Sequence, residues 1–163
     1  MTSAETCGSA SSGTTASKQR LRLWLRLLRA SRAIESELRE RLRVEFAVTL
    51  PQFDVMAALA RQPQGMTMTE LSRFLMVSNG NVTGIIDRLV ADGLVAREAI
   101  VGDRRGIRVR LTAKGDSAFS RMAVVHECWV DDLLSEFSPP EASILIEHLD
   151  GLASRIRDGG RRP

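Results

Sequence analysis

The fold is decided by residues 67–111, which read TMTELSRFLMVSNGNVTGIIDRLVADGLVAREAIVGDRRGIRVRL. The pattern predicts a short helix, a tight turn, a second helix, and two strands joined by a charged tip. The apolar residues of the second helix follow the i, i+3, i+4, i+7, i+8 spacing that buries one helix face. They are Val82, Ile85, Ile86, Leu89 and Val90. The opposite face carries small and polar residues, so it can lie in a DNA major groove and present hydrogen-bonding groups to base edges.

A hairpin is predicted after Gly93, which can supply the left-handed residue that ends a helix. Its strands cover about 94–100 and 107–111, and the second alternates apolar residues with arginines. Two glycines in the tip enclose an acid and two arginines, which are Asp103, Arg104 and Arg105. Such a tip is either a solvated turn or a group that enters a minor groove or holds phosphates. Directly after a helix-turn-helix, it favours the wing of a winged helix and therefore DNA.

Composition limits the class of protein. The 23 lysines and arginines exceed the 20 acids by a formal charge of +3, and the sequence pI is near 9.5. Local clustering of arginine is more informative than this small excess. The chain has no apolar run approaching a membrane span, no signal-peptide core, and two distant cysteines. We therefore expect a soluble cytoplasmic protein with no membrane partner.

The 163 residues predict one domain with dimerisation extensions, mainly α with a small β-wing. A disordered tail is expected over 1–17, which is rich in Ser, Thr, Gly and Ala. The expected units are then an N-terminal dimerisation helix over 18–48, a winged helix-turn-helix over 49–112, C-terminal dimerisation helices over 113–158, and a tail over 159–163. The final helix carries an apolar stripe, at Leu145, Leu149, Leu152 and Ile156, that is typical of helix packing. A second copy of the chain would cover such surface, so we expect a homodimer.

Capping-box spacings predict three helix starts, at Thr49, Thr67 and Ser138, and Thr112 is expected to cap a fourth helix. The core residues expected in the helix after Thr49 are Phe53, Met56 and Leu59. Those expected in the helix after Thr67 are Leu71, Phe74 and Leu75. Arg73 is expected to face outward, within reach of a phosphate.

The first helix is dense in arginine, and its first half contains no acid. Four arginines there either face water or bind an anion such as DNA backbone or a phosphorylated ligand; they are Arg20, Arg22, Arg26 and Arg29. Trp24 and Leu28 lie among them at a spacing that also fits plain core. Asp54 lies in the first turn of the next helix. It is either a favourable charge near a helix N-terminus or a polar contact in a ligand cleft against the first helix.

Five segments together resemble the MarR family of bacterial regulators. They are TMTEL at 67–71, SNGNVT at 78–83, IDRL at 86–89, GLV at 93–95, and the stretch from DRR at 103–105 to LTAKG at 111–115. The last segment is the most specific, and the resemblance covers about residues 18–156.

The resemblance implies a homodimeric winged helix-turn-helix repressor that binds a pseudo-palindromic double-stranded DNA operator. A small molecule, often a phenolic or aromatic acid, would bind between the dimer base and the DNA-reading part and release the protein. No cofactor is implied. The DNA-binding residues predicted in this way are Ser78, Asn79, Asn81, Thr83 and Arg88 of the second helix, Arg73 before it, and Arg104 and Arg105 on the wing. Asp103 would hold a wing arginine in place.

Two effectors are compatible with this resemblance. Trp24, Asp54 and a wing arginine look like the polar-aromatic set of the urate-responsive branch. The sequence around Trp24 also resembles regulators of aromatic-acid catabolism, including those that sense hydroxycinnamoyl-CoA thioesters. The phosphates of a CoA ester would give the acid-free arginine row a partner, so we favour an aromatic acid or its CoA thioester.

Other classes fit less well. A thiol redox sensor needs an accessible thiolate of low pKa, but Cys7 lies in the tail and Cys128 in the middle of a helix. A metal sensor needs clustered ligands, whereas His126, Glu127 and Cys128 are adjacent and point to different helix faces. No nucleophile–base set, P-loop or dinucleotide fingerprint predicts an enzyme. A winged helix used only for protein contacts remains the other alternative.

Overall fold

The computed structural model describes residues 11–100 and 106–159. Its described elements are six helices and three short strands, which confirms a mainly α fold with a small sheet. The helices are α1 (Ser11–Phe46), α2 (Leu50–Ala60), α3 (Met68–Leu75), α4 (Asn79–Ala91), α5 (Ala113–Leu133) and α6 (Pro139–Arg157). The strands are β1 (Met66–Thr67), β2 (Val95–Ala99) and β3 (Ile107–Leu111). Among these helices, none combines the length and apolar character that crossing a membrane requires.

The first helix begins earlier than its sequence suggests. It starts at Ser11 and runs for 36 residues, so the disordered tail expected over 1–17 is wrong for residues 11–17. Adding a residue to an existing helix costs much less than starting one, so a long helix can extend through poor helix formers. Residues 1–10 lie outside the described part of the chain.

The sheet contains one strand that the sequence did not indicate. Its strand order is β1-β3-β2, and both pairings are antiparallel. The predicted hairpin is present, with Val95 opposite Leu111 and Ala99 opposite Ile107. The additional strand β1 pairs Met66 with Val109 and Thr67 with Arg108, which places the start of α3 beside the hairpin.

The hydrophobic core of the winged helix-turn-helix contains apolar residues from α1, α2, α3, α4 and β3. Its largest fully buried side chains are Leu42, Val55, Met56, Leu59, Leu71, Val82, Ile86, Leu89 and Val109. The rings of Phe53 and Phe119 pack with their centroids 5.5 Å apart. The expectation that Phe74 lies in the core is wrong, because its side chain is 50% exposed. The buried face of α3 is narrow, because Leu71 is its one fully buried residue among those described.

The predicted helix starts are present. Thr49 forms a capping box with Gln52, whose side chain accepts a 2.8 Å hydrogen bond from the Thr49 amide. The carboxylate of Glu141 accepts hydrogen bonds from the amide and hydroxyl of Ser138, at 2.8 and 2.6 Å. The two amide bonds satisfy backbone N–H groups that a helix N-terminus would otherwise leave unpaired.

The chain divides into two compact units at Phe119 and Ser120. The first contains α1 to α4, the sheet and the start of α5, so α1 belongs with the winged helix. The second contains the rest of α5 and all of α6. On α6 the predicted stripe is exposed, at Leu145, Leu149, Leu152 and Ile156.

Candidate nucleic-acid interface

Helix α4 presents an exposed face of small and polar residues. Val82, Ile86 and Leu89 are completely buried on the other side of the helix, which fixes its rotation about its axis. The exposed residues are Gly80, Asn81, Thr83, Gly84, Asp87 and Arg88. Ser78 precedes the helix in extended backbone and is also exposed. The predicted DNA-facing residues Ser78, Asn81, Thr83 and Arg88 therefore reach solvent, whereas the side chain of Asn79 lies outside the described part.

The centre of this exposed face has no side chains. A Cβ atom added at Gly80 or Gly84 would meet no heavy atom within 4 Å. These glycines are four residues apart, so they lie one above the other on the helix. A duplex can therefore approach the backbone of α4 closely.

The two edges of the exposed face of α4 make different contacts with the rest of the chain. On one flank, Asn81 and Arg88 line a shallow cavity of about 200 Å³ together with Gln52 of α2 and Thr49, which caps α2. On the other flank, Asp87 accepts a 2.6 Å hydrogen bond from the Arg97 guanidinium of β2. Asp87 thus connects α4 to the first strand of the hairpin, a role that the sequence did not suggest.

Charged residues on the hairpin also pair with each other. The Arg110 guanidinium donates a 2.5 Å hydrogen bond to Glu98 on the neighbouring strand. Both partners are about half exposed, so the pair contributes little stability. Its contribution is to orient two long side chains on the sheet surface. The tip residues Asp103, Arg104 and Arg105 lie outside the described residues.

The start of α3 is held by a complete capping box. The Glu70 carboxylate accepts hydrogen bonds from the Thr67 amide at 2.7 Å and from the Thr67 hydroxyl at 2.9 Å. These bonds lower the pKa of Glu70, the amide bond most of all. Arg73, in the last turn of the same helix, is exposed as predicted.

The end of α4 is fastened to the start of α5 by Thr112 and Lys114. The Thr112 hydroxyl donates to the Gly93 carbonyl at 2.8 Å and accepts from the Gly115 amide at 3.0 Å. The Lys114 ammonium donates to the Asp92 carbonyl at 2.8 Å. A cation at this position also meets the negative end of the helix dipole.

Gly115 is required by a close backbone approach. A Cβ atom at this position would lie 1.9 Å from the Leu94 carbonyl oxygen. In the sequence alone, the Leu-Thr-x-x-Gly segment is only a family resemblance. Its physical role is to join the end of α4 to α5, the helix that follows the hairpin.

Comparison with known proteins agrees with this geometry. The sequence pattern of the MarR family matches residues 48–106. The transcriptional activatory protein BadR of Rhodopseudomonas palustris is 32% identical over 136 residues, which cover 79% of this chain and 72% of that protein. The chain belongs to the MarR family. Its relatives are transcriptional regulators, and it is not an enzyme.

Further relatives support the MarR assignment. The regulator PecS of Dickeya dadantii is 31% identical over 114 residues, which span 69% of this chain and 66% of PecS. A MarR family regulator from Silicibacter pomeroyi is 31% identical, with a TM-score of 0.72 and coverage of 86% of this chain and 97% of that one. A mutant form of MarR from E. coli, crystallised with operator DNA, is 26% identical, with a TM-score of 0.71 and coverage of 82% and 95%.

The predicted effector residues of this MarR protein lie on α1 and α2. Trp24 is 57% exposed and Leu28 is partly exposed. The four arginines of the row, Arg20, Arg22, Arg26 and Arg29, are all exposed. This half of α1 is therefore accessible in the single chain.

Asp54 does not behave as a favourable charge at a helix N-terminus. Partial burial raises its pKa, and the nearby Glu35 carboxylate raises it further, whereas a helix N-terminus would lower it. The first turn of α2 contains no acid, so Asp54 lies beyond the turn in which the helix dipole acts. The Asp54 side chain is exposed in the single chain. Two carboxylates, one from each helix, face the same region.

Trp24 and Glu35, the carboxylate that raises the pKa of Asp54, lie far apart on α1. Glu35 is 11 residues from Trp24 in the sequence, or roughly 16 Å along a helix that rises about 1.5 Å per residue.

The described residues give no grouping of three or more His, Cys, Asp and Glu side chains that could hold a metal ion. Cys128 is exposed and reduced. Cys7 lies outside the described residues.

Proposed function

We propose that the chain is a homodimeric repressor whose helix α4 enters the major groove while its hairpin contacts the adjacent backbone. The observation that carries this proposal is the exposed face of α4, which has bare glycines at its centre and polar side chains on both flanks. The Asp87–Arg97 hydrogen bond holds the hairpin beside that face. Support also comes from the E. coli relative, which was crystallised with operator DNA.

Dimerisation is supported by exposed apolar surface on each unit. On α1 this surface consists of Leu21, Leu23, Trp24, Leu25 and Leu27. On α6 it consists of Ile144, Leu145, Ile146, Leu149, Leu152 and Ile156. Apolar surface of this extent marks an interaction site in a monomer. Two-fold pairing would place two copies of α4 one DNA turn apart, about 34 Å, and so favours a pseudo-palindromic operator.

The DNA-binding proposal is tested by titrating labelled duplexes from the protein's own upstream region over a range of salt concentrations. Affinity should fall steeply with salt, because binding releases about 0.9 counterion per phosphate contact. Arg104→Ala should weaken binding to every duplex and reduce the salt slope by about one unit. Asn81→Ala should mainly reduce the difference between the affinity for the operator and the affinity for unrelated DNA.

Arg155→Ala provides the matched control, since Arg155 is an exposed arginine near the end of α6. It should change neither the affinity nor the salt slope. Salt-insensitive binding, or equal effects of Arg104→Ala and Arg155→Ala, would favour a winged helix used for protein contacts.

We further propose that the effector is an aromatic acid or, in preference, its CoA thioester. The support is the exposed arginine row beside Trp24, together with the roughly 16 Å along α1 between Trp24 and Glu35, the carboxylate that raises the pKa of Asp54. A thioester is long enough to place an aromatic group near one of these residues and phosphates near the arginines. Urate-type responsiveness is the alternative, and it would use Trp24 and Asp54 from two copies of the chain.

A release assay separates the two effectors. Aromatic acids, their CoA thioesters and urate are each added to the protein–operator complex, and dissociation is followed by anisotropy. A thioester should release wild type at lower concentration than the free acid, and Arg26→Gln should remove that difference. In a Trp129→Phe background, ligand stacking on Trp24 should quench the remaining fluorescence. Release by urate alone would contradict the thioester proposal.

A further inference from the structure

The turn between α3 and α4 contains an unusual methionine. Met76 adopts a left-handed backbone conformation, with φ 54° and ψ 38°, and its side chain is 93% exposed. The Val77 amide donates to the Ser72 carbonyl at 3.1 Å, and the Met76 amide donates to the Arg73 carbonyl at 3.4 Å. This pair of bonds is the Schellman ending of a helix, in which the left-handed residue is usually glycine.

The same chain ends α4 in the same way but uses glycine. The Leu94 amide donates to the Leu89 carbonyl and the Gly93 amide to the Val90 carbonyl, both at 2.9 Å. Gly93 has φ 71°. Methionine in the equivalent position of α3 carries a backbone cost that glycine avoids. Its nearly complete exposure also means that packing within the chain does not repay this cost.

Met76 lies immediately before the end of α4 that would approach DNA. Ser78 precedes the helix and α4 begins at Asn79, so Met76 is two residues from Ser78 and three from the first helical residue. In helix-turn-helix proteins, the N-terminal residues of the reading helix contact base edges. An apolar side chain there can contact the C5-methyl group of thymine, which is the apolar feature of the major groove.

We propose that Met76 is a specificity-determining residue that packs its thioether chain against thymine methyl groups of the operator. The inference rests on the proposed DNA-binding function. The strained backbone is kept because the exposed side chain becomes buried when the duplex binds. Strain of this kind concentrates at functional sites, where ligand contacts offset it.

The test begins by selecting duplexes from a random library with the full-length protein. In the selected duplex, each thymine is then replaced by deoxyuridine, which lacks the methyl group and keeps base pairing. Wild type should lose about fourfold in affinity at one or two positions in each half-site, the amount expected for one buried methyl group. Met76→Gln should bind the thymine and deoxyuridine duplexes with equal affinity, because glutamine has a similar length but a polar end. Met76→Leu should retain most of it.

Met76→Gly separates a DNA contact from a structural role. It should raise the urea midpoint, because glycine relieves the backbone strain, and at the same time lower operator affinity. A structural role would move stability and affinity in the same direction.

The outcomes distinguish this inference from the proposed function. If no duplex is enriched, the DNA-binding proposal and the methyl contact both fail. If a duplex is enriched but replacing thymine with deoxyuridine lowers the affinity of wild type and of Met76→Gln by the same factor, only the methyl contact fails. Unchanged duplex affinity with altered transcription in Met76→Gln would assign the side chain to a protein partner and would also overturn the contact.

Discussion

Replacing Gly115 with alanine should be the most damaging single methyl addition in the described structure. The added Cβ would lie 1.9 Å from the Leu94 oxygen, and ordinary contact begins at 3.4 Å, so α5 and the Leu94 backbone must move apart by about 1.5 Å. That movement threatens the 3.0 Å bond from the Thr112 amide to the same oxygen. Overpacking costs about 1–3 kcal/mol and a lost hydrogen bond about 1 kcal/mol. A gain in helix propensity of up to about 1 kcal/mol offsets part of this, so we expect the free energy of unfolding to fall by about 1–3 kcal/mol.

Urea denaturation at one fixed protein concentration measures this change. Gly84→Ala and Gly151→Ala are matched controls, because a Cβ at either helical position meets no heavy atom within 4 Å. Each control should raise stability by up to about 1 kcal/mol. If Gly115→Ala proves as stable as these controls, the close approach of α5 to Leu94 is not present in solution.

Three further outcomes are expected. Gly84→Gln should fold normally but lose duplex affinity at least tenfold, whereas Gly84→Ala should keep most of it; equal affinity of the two variants in anisotropy titrations would show that α4 does not approach DNA closely. Asp54→Asn should raise the unfolding free energy at neutral pH, because the raised pKa means that the ionised carboxylate opposes folding. This gain should shrink as pH falls through the raised pKa and vanish below the ordinary value of 3.8. The stated cause would be contradicted if the gain persisted in acid denaturation curves, or if the Glu35→Gln variant, measured for comparison, showed no gain in unfolding free energy. Asp87→Ala and Arg97→Ala should each change stability by less than about 1 kcal/mol but reduce operator affinity severalfold, and the double variant should lose no more than the worse single one; additive losses in this double-mutant cycle would show that the pair does not act as a unit.

The elements that depend on local sequence were predictable. Apolar periodicity placed α4 with Val82, Ile86 and Leu89 in the core, and the capping boxes placed the starts of α2, α3 and α6. These signals lie within one helix and need no knowledge of the rest of the chain. The hairpin followed from alternation and from the glycines of its tip.

The features that were missed depend on contacts between distant segments. Strand β1 has only two residues, and it is a strand because β3, about 40 residues further along the chain, pairs with it. The environment of Asp54 depends on partial burial and on Glu35 from another helix. The expected placement of Asp54 in the first turn of α2 was wrong, because that turn contains no acid. Gly115 belongs to the recognisable Leu-Thr-x-x-Gly segment, but only the position of the Leu94 carbonyl explains why glycine is needed there.

The bare centre of α4 has a consequence for how such regulators diversify. Because new side chains at Gly80 and Gly84 would touch nothing in the folded chain, replacing them leaves abundance and folding almost untouched. A mutational scan should therefore find both positions permissive for expression and restrictive for promoter control. New promoter preferences could then arise at these positions without first requiring a more stable scaffold.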